Sequence, residues 1–111
     1  MLLTNSNNTS NSGYHESTSG NNNTCAVINV NNDALYLGTN NTARWRVEHD
    51  GHFIPFSNGS YDIGSTGRRV RNIYTNDLNL SNKGSTNSVD NTWGDYTIQE
   101  GESDLFLINN R

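Results

Sequence analysis

Turn signals interrupt this chain before any long helix can form. Asn31-Asn32-Asp33, Thr39-Asn40-Asn41, His49-Asp50-Gly51 and Ser57-Asn58-Gly59-Ser60 follow one another at short intervals. Asn and Asp side chains bond their own backbone, and Gly admits tight paths, so each cluster favours a reversal. Between them stand short runs rich in β-branched and aromatic residues: TCAVINV, ALYLG, TARWRVEHDG and HFIPF. Ala43, Trp45 and Val47 alternate with Arg44, Arg46 and Glu48, the period of a strand with one buried face. Pro55 places its run at an edge or a strand end. Farther on, DLNLSN alternates, KGSTNSVDNTWG is a polar loop, and DYTIQEG and DLFLINN form a closing hairpin around EGES. Only RRVRNIYTND is ambiguous, because Val70, Ile73 and Tyr74 keep helical spacing for about one turn. The expectation is an all-β fold of about eight short strands.

Composition decides what such strands can bury. Of the 111 residues, 31% are hydrophobic, 21 are Asn, and there is one proline, Pro55, and one lysine, Lys83. A chain this small and polar buries little apolar surface alone, and association is the usual remedy. An intertwined homotrimer, elongated as a fibre, suits these narrow apolar stripes and covers exposed strand edges. Residues 1–23 offer almost nothing to bury and read as a flexible, irregular or extended arm, which a partner could still tie down. Residues 24–81 then form a β-rich shaft, and residues 82–111 a distal loop and hairpin.

Several functions are disfavoured. A net charge of −4 gives no general basic surface, so nucleic acid is not an expected partner. The single cysteine, Cys25, makes no intrachain disulfide and no zinc cluster; its apolar neighbours suggest a small buried residue. The opening MLL is too short for a signal-peptide core or a membrane span, so no membrane insertion is expected. Asp90, Asp95, Glu100, Glu102 and Asp104 are scattered acids without the apolar surroundings that raise a carboxyl pKa. No Ser-His-Asp arrangement, phosphate loop or zinc spacing occurs, so neither enzyme activity nor a cofactor is expected. His49 and His52 flank a turn and are weak metal candidates; an ordinary hairpin with two exposed histidines is the favoured alternative.

The stretch LYLGTNNTARWRVEHDGHFIPFSNGSYDIGSTGRRVRNIYTNDLNLSN carries a recognisable order of motifs. An Arg-Trp-Arg strand precedes an Asp-Gly-x-Phe-x-Pro hairpin. A Tyr-Asp-Ile-Gly-Ser element follows, then an arginine-rich turn ending in Ile73-Tyr74. Together with the closing DYTIQEGESDLFLINNR, this resembles tail fibres and related virion fibres of bacteriophages over roughly residues 35–111. The resemblance implies a trimeric, β-rich virion protein located on the phage particle, partnered by other virion proteins and involved in host attachment. The sequence is shorter than many such fibres and stops at Arg111, where the basic, aromatic tail often follows in them, so truncation or processing stays open; no self-cleaving chaperone domain is expected within these 111 residues. A short accessory fibre fits these departures.

On that reading Trp45, Val47, Ile63, Val70, Ile73, Tyr74, Leu78 and Leu80 form the trimer core. Arg68, Arg69 and Arg71 pair across chains, with Asp62 and Asp77 as candidate partners. An anionic-ligand site at the arginines is the less favoured alternative. Trp93 lies in a polar loop where an aromatic has little structural reason to be, and it is the candidate contact for host surface glycan. Two other classes stay open: a carbohydrate-binding module centred on residues 82–95, and a filament-forming surface protein assembled by strand addition.

Overall fold

The computed structural model describes residues 13–16 and 25–111. Every regular element among them is a strand: β1 (Gly13–Glu16), β2 (Cys25–Ile28), β3 (Leu35–Thr39), β4 (Thr42–Val47), β5 (Phe53–Pro55), β6 (Leu78–Ser81), β7 (Asp95–Glu100) and β8 (Leu105–Asn109). All pairings are antiparallel. The all-β expectation therefore holds. The strands form three small sheets, β1-β2, β3-β4-β5 and β6-β7-β8. The chain divides into two compact units, residues 1–63 and 64–111.

In the first unit, β1 lies within the arm expected over residues 1–23 and is extended. Gly13 to Glu16 pair residue for residue with Ile28 to Cys25. A backbone ladder needs N–H and C=O groups, which a polar segment supplies as well as an apolar one. The rest of that arm, and the side chain of Cys25, lie outside the described residues.

The β3–β4 hairpin turns on Asn40 and Asn41, whose φ angles are 52° and 53°. Two consecutive positive φ values define the hairpin turn whose twist matches the strands, and Asn tolerates them better than most residues. A bulge follows at Leu37/Gly38, where Trp45 and then Ala43 are the successive partners. The β4–β5 hairpin closes around His49-Asp50-Gly51, with Gly51 N–H donating to Glu48 O at 2.8 Å and Glu48 N–H to His52 O at 2.7 Å. Gly51 has φ 98°, a conformation costly for a side chain with a Cβ. β5 is an edge strand, so Pro55 removes no ladder donor from a sheet interior.

In the second unit, residues 64–77 form neither strand nor helix. The helical spacing of Val70, Ile73 and Tyr74 gives no turn of helix. The local determinant is a tight reversal in which Ser65 N–H donates to Arg68 O and Arg68 N–H to Ser65 O, at 2.9 and 3.2 Å. The β7–β8 hairpin closes where the sequence places it, with Gly101 N–H donating to Asp104 O at 2.7 Å. β6 pairs with β7, so this sheet runs across the boundary drawn from sequence at residues 81/82.

No hydrophobic side chain is buried among the described residues. Thr97, 8% exposed, is the only buried residue among them. Among the described residues, neither unit has a core of its own.

Candidate functional site

Register shows what the two three-stranded sheets leave uncovered. Side chains directly opposite in a ladder share a face. In β3-β4-β5, Leu35 faces Val47, Leu37 faces Trp45, Val47 faces Phe53 and Trp45 faces Pro55. One face is therefore Leu35, Leu37, Trp45, Val47, Phe53 and Pro55, wholly apolar. Trp45 stacks on Phe53 with ring centroids 4.9 Å apart and planes inclined by 12°. Such a pair contributes about 1 kcal/mol beyond area burial. The other face is mixed. Tyr36 meets Phe56 edge-on at 4.9 Å, Arg46 lies 5.2 Å over the Phe56 ring, and Arg46 Nε lies 2.7 Å from Glu48 Oε1. That last contact misses hydrogen-bonding geometry and is an ion pair only, worth about 1 kcal/mol at most at a surface.

The sheet β6-β7-β8 repeats the pattern. Leu78 faces Ile98, Ile98 faces Leu107, Leu80 faces Tyr96 and Glu100 faces Leu105. Leu78, Leu80, Tyr96, Ile98, Leu105 and Leu107 share one face, with Glu100 the only charge, at the hairpin end. Leu105 is 69% exposed and Leu107 71%. The opposite face carries a polar ladder: Thr97 Oγ1 donates to Asn79 Oδ1 and Asn110 Nδ2 to Thr97 Oγ1, each at 2.8 Å. Phe106 and Ile108 share that opposite face and are also exposed, so no side of either sheet is covered among the described residues.

Of the eight residues expected in a trimer core, Trp45 and Val47 lie on the first apolar face, and Leu78 and Leu80 on the second. Ile63, Val70, Ile73 and Tyr74 are exposed in irregular backbone. Sequence reading omitted Tyr96, Ile98, Leu105 and Leu107. Tyr96 and Ile98 alternate and were legible. Leu105-Phe106-Leu107-Ile108 is unbroken and apolar, so it has no phase until the register is known.

Within the chain, no described carboxylate pairs with Arg68, Arg69 or Arg71. Arg69 Nη1 donates to Thr66 O at 2.9 Å, Asp77 Oδ2 accepts from Gln99 Nε2 at 3.1 Å, and Asp62 is exposed. His52 Nε2 lies 3.5 Å from Asp50 Oδ2. His49 and His52 join no group of three metal-ligating side chains among the described residues.

Trp93 closes the loop of residues 82–94, and this loop is tied down by polar contacts. Asn87 is its hub. Its Nδ2 donates to Asp90 Oδ1 and to Thr92 O, both at 2.8 Å, and its Oδ1 accepts from the backbone of Val89 and Asp90. Thr92 Oγ1 donates to Asp90 Oδ1 at 2.7 Å. Asn82 Oδ1 accepts from Gly94 N–H at 2.7 Å at the loop base. The Arg111 guanidinium lies over the Trp93 indole, 4.1 Å from the ring centroid, and its Nη1 donates to Trp93 O at 3.0 Å. Asn87, Thr92, Trp93, Gly94, Tyr96, Asn109 and Arg111 line an open concavity of about 330 Å³.

Hydrogen bonds from Thr92, and next from Asn87, hold the Asp90 carboxyl below its ordinary pKa. A lowered folded-state pKa stabilises the loop above the ordinary aspartate value, and the contribution is lost as pH falls through the lowered one. Amide protection at Val89 to Thr92, measured against the unfolded chain, is expected to be flat between about pH 5 and 7 and to fall below about pH 4. Asp90→Asn is expected to remove this acid response. An unchanged response in that variant would assign it to another group.

No protein-family model matches this chain, and no curated protein and no solved structure shows significant similarity to it.

Proposed function

We propose that the chain is the subunit of a homotrimeric β fibre or spike on a phage particle, a tail fibre or a shorter accessory fibre, that takes part in host attachment. The observation that carries the association is that both three-stranded sheets present an apolar face, with Glu100 and Asn109 the exceptions at its ends, while no hydrophobic side chain is buried among the described residues. Burying a Leu or Phe side chain contributes about 1.5–3 kcal/mol. A chain that leaves a dozen such positions accessible has its main folding energy still to gain from a partner. Other copies suit these faces, because Glu100 at the hairpin end is their only charge and faces so sparsely charged meet with little repulsion. The threefold number and the place on a virion rest on the resemblance of residues 35–111. Host attachment draws on the rigid loop at residues 82–94.

Light scattering coupled to size exclusion tests the reading. A mass three times that of the chain is expected, at all workable concentrations. A folded monomer would overturn it. Long polydisperse assemblies would replace it with an open filament built through the unpaired strand edges.

A further inference from the structure

We propose that the concavity formed by Trp93, Tyr96, Asn109 and Arg111 beneath the 82–94 loop is a binding site for a monosaccharide unit bearing a carboxylate. The site deepens the attachment role suggested above, but its geometry lies within one copy and does not depend on the trimer.

The first ground is size and shape. An open concavity of about 330 Å³ lies at the lower end of the usual range for small-ligand sites and suits one sugar ring. Its walls are an indole, a phenol and short amide and hydroxyl side chains. Aromatic rings suit the C–H faces of a sugar, and the polar groups suit its hydroxyls.

The second ground is the sign of what remains unpaired. The amide and carboxylate Oδ1 acceptors of this region are already engaged. Asn87 Oδ1 accepts from two backbone amides, Asp90 Oδ1 from Asn87 and Thr92, and Asn109 Oδ1 from Arg111 N–H at 3.0 Å. The donors are not. Asn109 Nδ2, Trp93 Nε1 and the Tyr96 hydroxyl have no acceptor among the described residues, and Arg111 has committed one N–H to Trp93 O. No Asp or Glu lines the concavity. In an acidic protein this is a pocket of donors around one cation, complementary to an anion rich in oxygen acceptors.

The third ground is preorganisation. Stacking on Trp93 and the bond to its carbonyl hold the guanidinium plane, leaving its other N–H groups for a carboxylate. The loop opposite is fixed by the Asn87 hub, so little ordering opposes binding. Tyr96 and Asn109, opposite each other in the ladder, are shared with the apolar face of β6-β7-β8. The other lining residues belong to the loop or follow β8, so the site sits at the edge of that face.

Calorimetry and tryptophan fluorescence on the full-length, assembled protein test the proposal, with a methyl glucuronide and the matched methyl glucoside as probes. The glucuronide is expected to bind at least roughly tenfold more tightly, with affinity falling as salt is added. Arg111→Met is expected to remove that preference while light scattering shows unchanged mass. Should Arg111→Met misassemble, the selectivity of the unaltered protein still decides. Equal binding of both probes, or no binding up to roughly 10 mM by correctly assembled protein, would overturn the site and leave the fibre reading standing.

Discussion

Leu107→Asp is expected to convert the assembled protein to monomers. Leu107 is 71% exposed in the single chain, so an aspartate there meets water and costs the isolated chain little. In an assembly packed through the β6-β7-β8 face, the same aspartate loses the burial of one leucine, about 1.5–3 kcal/mol, and places an unpaired carboxylate in an apolar layer. The copies also set like charges near one another. Together these terms shift the association constant by roughly a thousandfold or more. Leu107→Met keeps shape and polarity and should retain the native mass. Light scattering over a dilution series decides. If Leu107→Asp keeps the native mass, the face is not the interface.

The contrast between Leu107 and Thr97 also shows what the sequence could carry. Alternation in TARWRV and the Asn-Asn and Asp-Gly turns were enough for β3, β4 and β5, because a two-residue period and positive-φ chemistry are local properties. β1 was invisible, since Gly13, Tyr14, His15 and Glu16 show no apolar period and their pairing with Cys25–Ile28 is a register fact. Val70, Ile73 and Tyr74 stayed ambiguous, because three apolar residues mimic a helical stripe in a segment too short to nucleate one. The face carrying Leu107 needed register, a long-range fact. So did the concavity: Arg111 stacks on Trp93 across eighteen positions, and no local pattern links them. Trp93 itself was legible because an indole in a polar loop is anomalous. Its partners were not, because Asn87 and Asn109 are two of 21 asparagines.

The second large effect is expected at Gly38. A Cβ built there would lie 2.1 Å from Thr42 O, 2.8 Å from Thr42 C and 3.0 Å from Ala43 Cα. All three are backbone atoms, so no rotamer change relieves the clash. The bulge between Leu37 and Gly38 exists because the strands approach this closely beside the Asn40-Asn41 turn. Gly38→Ala must open the hairpin, and Leu37 then leaves the apolar face it shares with Trp45. A cost of about 3 kcal/mol or more is expected, visible as a melting temperature lower by roughly 10 °C or more. Gly67→Ala is the matched control, with nothing within 4 Å of its Cβ and no positive φ. It should be neutral or slightly stabilising, since alanine restricts the unfolded chain. Both variants are compared at equal protein concentration, because association raises apparent stability by mass action. If Gly38→Ala melts with the unaltered protein, the close approach at the bulge is wrong, and with it the pairing of Leu37 with Trp45 that builds the first apolar face.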